Sequence, residues 1–460
     1  MKTYLYTDES GKEQTLAFQL SPHGSICSKE YSLFETLHDH KLQYLNLQQR
    51  IDILCSYLTD IHNCGHYSYK RVLNTGCKVM SEVKPDNYAD ETPMLNLSSN
   101  DYLNFSQHLQ IIAAAAKSLY QYGLGSGSTP MFTGTTPLHS QLEQKIAQFK
   151  GTEKAMLFSS GYGANFSTIR ALLTEKDAAI CDMYAHASLM DGCTNTNRYY
   201  FKHNDMQSLS IALQKAAKHK NKLVIIDGVY SMDGDIAHLD QIIDIAHQNG
   251  AWVMVDDAHA TGVIGKNGRG TADHFGLTGK VDLISGTFSK ALGAVGGFIA
   301  GKADLIDYLQ IASRAYMFST TPAVPVMAGI LEALNILDRE PHIIEQLHQN
   351  ITYFRTEMQM MGFNVGHTQT AIIPLIIGND YKVKLMTQLL HQAGILVNAV
   401  PYPAVPKKLT RLRITITAGL NKQQLDYALQ QIEKIGSQLQ IINQIQFKHQ
   451  PSYHHHLMPA

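Results

Sequence analysis

The 460-residue sequence has no CxxC pair, no long apolar run and no excess of either charge, and each absence removes a class of protein. Its six cysteines, Cys27, Cys55, Cys64, Cys77, Cys181 and Cys193, lie apart, without the spacing of a disulfide framework or a zinc site. In a chain of this size they are expected as free thiols in a reducing, cytoplasmic compartment. The segment His62-Asn63-Cys64-Gly65-His66 lacks a paired ligand set at any standard zinc spacing, so no metal is expected. No run reaches the roughly 18 apolar residues of a membrane helix. Charged residues fill the place in MKTYLYTDESGKEQ where a secretory signal is apolar, and no membrane span is expected. With 38 Lys and Arg against 39 Asp and Glu, the net charge is −1, which supports neither a nucleic-acid-binding surface nor an acidic tail. There is no internal repeat, and no low-complexity run exceeds His454-His455-His456.

What is present suits a globular chain of one large and one or two smaller domains, with 44% of residues hydrophobic and 17% charged. From 95 to about 337, short apolar runs alternate with helix-period segments, the pattern of a mostly parallel sheet covered by helices. One βαβ unit is expected from a strand at 223–226, through a helix at 239–248 stopped by Gly250, to a strand at 252–255. A helix over 138–149, ended by Gly151, leads to a strand at 155–158 and the loop Ser159-Ser160-Gly161-Tyr162-Gly163. Beyond 337, strands at 370–377 and 411–417 with intervening helices predict a smaller α+β domain. The expected division is an N-terminal extension over 1–92, partly helical near 33–58, then a large α/β domain over 93–337. A small C-terminal α+β domain over 338–438 and a tail over 439–460 complete it.

In α/β sheets, ligands collect at the carboxyl ends of strands. The strand at 252–255 runs into Asp256-Asp257-Ala258-His259, which is either a site or a capped strand end. A strand at 281–284 is followed by Ser285-Gly286-Thr287-Phe288-Ser289-Lys290-Ala291-Leu292-Gly293. Lys290 stands among hydroxyls and small residues between apolar runs. Burial there would lower its pKa and make an imine-forming amine, whereas an exposed loop lysine would have no such property. Arg411-Leu412-Arg413-Ile414-Thr415-Ile416 reads as a strand whose alternation puts both arginines on one face.

Together with Ser231-Met232-Asp233-Gly234-Asp235 and Tyr184-Ala185-His186-Ala187-Ser188, these motifs in this order closely resemble the α-oxoamine synthases. That family of fold-type I pyridoxal 5′-phosphate (PLP) enzymes includes serine palmitoyltransferase, 5-aminolevulinate synthase, 8-amino-7-oxononanoate synthase and 2-amino-3-ketobutyrate CoA ligase. The resemblance runs from about 95 to 435. It implies an α/β, fold-type I PLP-dependent transferase, with a large, mostly parallel central-sheet domain, a smaller C-terminal α+β domain and a homodimer with shared sites. It further implies that Lys290 carries PLP as a Schiff base and moves the Cα proton, and that Asp256 partners the pyridine nitrogen. His259, with Ser231, matches the donors to the ring's phenolic oxygen, and His186 the imidazole stacked on the cofactor face. Ser160, Gly161 and Tyr162 match the phosphate loop, where N–H groups at a helix start favour an anion, with Thr287 adding a hydroxyl. Ser319 and Thr320 match the hydroxyls that reach a neighbouring subunit's phosphate site. Arg413 matches the carboxylate-binding arginine, with Arg411 as the alternative, better suited to a surface or thioester-side contact. Asn100 matches the substrate-side asparagine, or else caps a turn.

The activity implied is a PLP-dependent acyltransferase. It condenses an α-amino acid (serine, glycine or alanine) with an acyl thioester on CoA or an acyl-carrier protein, usually with decarboxylation, to an α-aminoketone. The chain departs from the family where Ser128 to Met131 lacks a usual glycine and arginine, and where Ala418-Gly419-Leu420 replaces a His-Thr pair. The acyl entrance and one pocket wall are expected to differ accordingly. An aminotransferase would share the fold and the lysine but release no thiol, and a non-catalytic partner subunit would lack Lys290.

Overall fold

The computed structural model describes residues 2–7, 12–18, 40–63, 71–83, 93–402 and 404–442. Seven strands form the central sheet: β1 (Lys154–Phe158), β2 (Ala178–Asp182), β3 (Asn197–Phe201), β4 (Lys222–Asp227), β5 (Trp252–Asp256), β6 (Leu283–Thr287) and β7 (Gly297–Gly301). Their spatial order is β1-β7-β6-β5-β4-β2-β3, all parallel except β7, which runs antiparallel to both neighbours. Leu223-Val224-Ile225-Ile226 in β4 is buried without alternation because helices cover both sheet faces. The helix Leu239–Gln248 forms at the expected bounds and buries Leu239, Ile242, Ile243 and Ala246, the stripe that helical spacing predicts. The helix Pro137–Lys150 opens with a capping box between Thr136 and His139 and ends at Gly151 in the left-handed region.

The strand expected at 281–284 forms two residues later, as β6. Asp282 stays outside it, and its carboxylate accepts from Val253 N (2.9 Å) and faces His247 Nε2 (2.8 Å). Ser285-Gly286-Thr287 continues the strand instead because a β7 ring covers it: a Cβ on Gly286 would overlap the Phe298 ring. This extension carries Thr287 to the carboxyl end of the sheet, three residues before Lys290.

Two three-stranded sheets flank this core, and Lys2–Thr7 pairs antiparallel with Glu13–Phe18 in a separate two-stranded sheet. Ile372–Ile376, Arg411–Thr415 and Asn398–Val400 pair antiparallel, with the arginine strand central. Ile395–Leu396 pairs parallel to Pro93–Asn96, whose other edge carries Met80–Glu82 antiparallel. The chain entering the large sheet is thus stitched to its C-terminal part. Of the helix expected near 33–58, residues 33–39 lie outside the described residues, while Leu47–Asn63 is α-helical. The segment 64–66, Cys27 and the tail from 443 also lie outside them. Among the described residues, Cys55, Cys77, Cys181 and Cys193 are free thiols, and no helix is long and apolar enough to cross a membrane.

Candidate active site

The carboxyl ends of β4 and β5 place Asp227 and Asp256 side by side in register, both buried, while Asp182, at the end of β2, is buried one register step away. Asp256 Oδ2 accepts from Asn165 Nδ2 at 2.6 Å and its Oδ1 from Ala258 N at 2.9 Å. Asn165 also donates to Ser188 Oγ (2.9 Å), which lies 2.7 Å from His186 Nδ1. The Ser188 N–H points at the same Nδ1 (3.3 Å). With Nδ1 accepting, the ring proton of His186 resides on Nε2. Burial, reinforced by Lys290 and opposed by Asp256, holds the His186 pKa below its ordinary value, so the ring is neutral.

Lys290 is partly open to the site, yet its dense surroundings push its ammonium down to about 8, against the pull of Asp256 and Asp227. Asp227, buried beside Asp256, is raised well above the carboxylate range, first by burial and then by that neighbouring charge. Its Oδ1 accepts from the His186 N–H (3.1 Å). The lysine loop is folded by Thr287, whose hydroxyl donates to Gly296 O and lies 2.8 Å from Ser289 Oγ.

Opposite Thr287 begins the helix Gly161–Leu172. Ser160 caps it, its Oγ accepting from Gly163 N at 2.9 Å. The first N–H groups, of Gly161 and Tyr162, have no acceptor among the described residues and point outward with the helix dipole, a ready anion site. Glycine is required at 161, since a Cβ would lie 2.9 Å from Thr287 Cβ. Tyr162 donates its hydroxyl to Asp191 and sets its ring edge-on to His186, with centroids 6.5 Å apart. Ser319 is half-buried and Thr320 exposed, and Thr320 O accepts from Ser159 Oγ of the same chain (3.1 Å), next to the helix start.

From the other side, Arg413 donates Nε to Ser231 O (2.7 Å), Nη1 to Thr415 Oγ1 (3.1 Å) and Nη2 to the Tyr102 hydroxyl (3.5 Å). Ser231 therefore enters these contacts through its carbonyl. Arg411 is not at the surface. It is 1% exposed and committed to Met232 O, Asp233 Oδ1 and Leu409 O, so its guanidinium holds a turn together. Arg413 keeps one Nη2 on a long bond and is the better placed of the two for a substrate carboxylate. Asn100 is not the cap of its turn: Ser99 Oγ and the Asp101 carboxylate accept the turn's N–H groups, while Asn100 Oδ1 lies 3.5 Å from Tyr102 Oη. His259 is buried, with Nδ1 2.6 Å from that same hydroxyl. Burial first, then the charges of Lys290 and Arg413, drive its pKa well below the ordinary value. Sequence reasoning missed Tyr102, Asn165, Ser188 and Asp227. Only Asp227 had a signal, its place at the end of an expected strand.

A half-open amine that is neutral near pH 8, a buried carboxylate, two neutral imidazoles and free N–H groups at a helix start fit an aldehyde cofactor bearing a phosphate. Residues 92–432 match the family described as aminotransferase class I and II. The chain belongs to this family. It is 38% identical over 395 residues to 8-amino-7-oxononanoate synthase of Thermoanaerobacter pseudethanolicus, covering 85% of this chain and 98% of that one. It is 41% identical to 8-amino-7-oxononanoate synthase 1 of Bacillus subtilis over 351 residues, 76% and 90% of the two chains. Serine palmitoyltransferase from S. paucimobilis with a bound PLP–myriocin aldimine superposes with a TM-score of 0.82 at 29% identity, over 86% of this chain and 100% of that one. The resemblance to the α-oxoamine synthases is thereby borne out: the protein is a PLP-dependent enzyme of that kind, with the expected α/β fold.

Proposed function

We propose that this synthase joins L-alanine to an acyl thioester, releasing a free thiol and carbon dioxide and leaving an α-aminoketone. The choice of amino acid follows from the product named for the curated relatives. An amine on C8 beside a ketone on C7 divides into alanine without its carboxylate and a seven-carbon acyl group ending in a second carboxylate. The observation that carries the reading is Lys290, an amine lowered to about 8 within electrostatic reach of Asp256, Asp227 and Arg413. Bound PLP supplies the electron sink that makes the α-carbon acidic and nucleophilic. Lys290, once neutral, takes the Cα proton. Arg413 orients the substrate carboxylate, with Asn100 beside it, and Asp256, held by Asn165, pairs with the ring nitrogen. His186 Nε2–H and His259 act as neutral donors to groups that gain negative charge. The N–H groups of Gly161 and Tyr162, with the Ser160 hydroxyl, hold the phosphate, and Thr287 lies beside them, its own proton given to Gly296 O unless phosphate draws it away.

We assign the working unit as a homodimer. Leu124, Phe132 and Phe318 are 82%, 81% and 69% exposed around the contact of Ser126 with Thr321 O (2.7 Å), an apolar patch adjoining Ser319 and Thr320. A second copy would cover it and bring those hydroxyls to the neighbouring phosphate site. Free thiols at Cys55 and Cys77 fit a reducing cytoplasm. The test is free-thiol release by the holoenzyme with L-alanine, glycine and L-serine against short and long acyl thioesters. Alanine should give the highest kcat/KM. Preference for serine would instead support the palmitoyltransferase-like reading that the 0.82 superposition favours. Lys290→Ala should lose at least about 10³-fold in turnover while keeping its fold, and turnover at the wild-type rate would sink the scheme.

A further inference from the structure

We propose that Tyr102 is a positioning residue that fixes the proton of His259 on Nε2 and links the carboxylate-binding Arg413 to the phenolic edge of the cofactor. The proposal rests on the PLP-synthase reading above for its functional consequence, while the proton's place follows from distances and burial. Tyr102 is fully buried, and its hydroxyl has one proton to give. Two acceptors stand near it: His259 Nδ1 at 2.6 Å and Asn100 Oδ1 at 3.5 Å. The second lies at the limit of a hydrogen bond, so the proton goes to Nδ1. Arg413 Nη2 faces the Tyr102 oxygen over an equally long 3.5 Å, so its donation there is weak. The reverse arrangement would leave the Tyr102 proton only the 3.5 Å contact with Asn100 Oδ1 and His259 Nε2 a bare lone pair, unable to donate. A doubly protonated ring is excluded because His259 is buried, with Lys290 and Arg413 opposing its charge. Nε2 itself has no hydrogen-bond partner among the described residues.

The hydroxyl has little freedom to move. Tyr102 N donates to Asn100 O (2.8 Å), and Tyr102 O accepts from Ala418 N (2.8 Å), just beyond the arginine strand. Arg413, Tyr102 and His259 thus form a relay in which each donor faces the next acceptor. Burial holds the Tyr102 hydroxyl above its ordinary pKa, so it keeps its proton, and Arg413 offsets part of that rise, which favours donation to Nδ1. A substrate carboxylate that draws Nη2 away weakens that donation, so occupancy of the carboxylate site is felt at His259 Nε2.

The experiment compares wild type with Tyr102→Phe, each with histidine ring nitrogens isotopically labelled, in cofactor-free and cofactor-loaded form. His259→Gln identifies the resonance. In wild type the expected signal is that of Nδ1 as acceptor and Nε2 protonated; in Tyr102→Phe the two tautomers should mix. The visible absorbance of the loaded protein, titrated against pH, should shift its midpoint by about half a pH unit or more in the variant. Arg413, Lys290 and His186 are the other charged or titratable groups facing this pair, and the substitution leaves them in place. A wild-type His259 carrying its proton on Nδ1 would overturn the proposal without any variant, as would an unchanged tautomer and midpoint in Tyr102→Phe. Because the resonance is read without substrate, failure of the synthase activity itself would be seen separately, as absent thiol release.

Discussion

A single charged imidazole organises the turn beneath the arginines. His203 Nδ1 lies 3.1 Å from Asp182 and Nε2 2.8 Å from Asp235, while its ring stacks on Tyr184 at 4.4 Å and meets Tyr230 edge-on at 4.3 Å. Burial alone would depress its pKa, but the two carboxylates win and raise it to about 10. The folded value exceeds the ordinary 6.5, so the stabilisation is complete below pH 6.5 and is lost as pH rises through about 10. A tenfold change in proton affinity corresponds to about 1.4 kcal/mol, and after a discount for partial solvent contact the stabilisation is on the order of 3 kcal/mol. Urea unfolding at pH 6, 8 and 10 should find the gap between wild type and His203→Gln shrinking steadily, and a gap independent of pH would exclude the charged form. Lys290 has the opposite sign. Its amine, lowered to about 8, should make cofactor uptake by the cofactor-free protein rise about fivefold from pH 7 to 8 and less than about twofold from 8 to 9. At this scale the motifs that sequence supplies are those confined to one short stretch of chain: Asp256 with His259, Lys290 and His186 after strand ends, and Arg413 within its strand. Tyr102 and Asn165 were illegible because their partners lie 157 and 91 positions away, and no local spacing records such a bond.

Elements explain why the proposed phosphate cradle and the lysine face each other. Helix Gly161–Leu172 can start against β6 only because residue 161 lacks a side chain. β6 in turn brings Thr287 there because the Phe298 ring selects glycine at 286 and lets the strand run past its apolar part. Gly161→Ala should therefore push the first helical turn away from Thr287. Equilibrium dialysis is expected to show PLP affinity weakened by about tenfold or more, with a stability loss of roughly 1–2 kcal/mol. Ser160→Ala removes only the cap and should cost about 1 kcal/mol with a smaller change in affinity. Equal affinity losses in the two variants would mean that the close approach at 161 is not what sets the cradle. The strand–helix alternation was readable from periodicity. The offset of β6 was not, because apolarity stops at Ile284 while the hydrogen-bonded ladder continues through Ser285 and Gly286.

On the scale of the molecule, the site depends on a tie between the large sheet's turn at 231–235 and the C-terminal sheet. Arg411 and Arg413 point the same way from one strand, as alternation predicts, and grip Asp233 and Ser231 respectively. The second stitch, Ile395–Leu396 onto Pro93–Asn96, was beyond sequence reasoning because a two-residue strand pairs across about three hundred positions. Arg411→Met and Asp233→Asn should each destabilise the fold, the first by about 3 kcal/mol, since it removes a buried cation with three acceptors. The double variant should lose less than the sum, with a coupling of roughly 1–3 kcal/mol. Arg413 holds the same turn two residues away, so loosening it should misplace the proposed carboxylate site more than the lysine. Steady-state kinetics of Asp233→Asn should thus show KM for the amino acid rising about tenfold while kcat falls less than about threefold. A fall in kcat with KM unchanged would instead mean that the turn steers the chemistry at Lys290, through Asp227 and His186, and that the C-terminal sheet carries no share of substrate recognition beyond Arg413 itself.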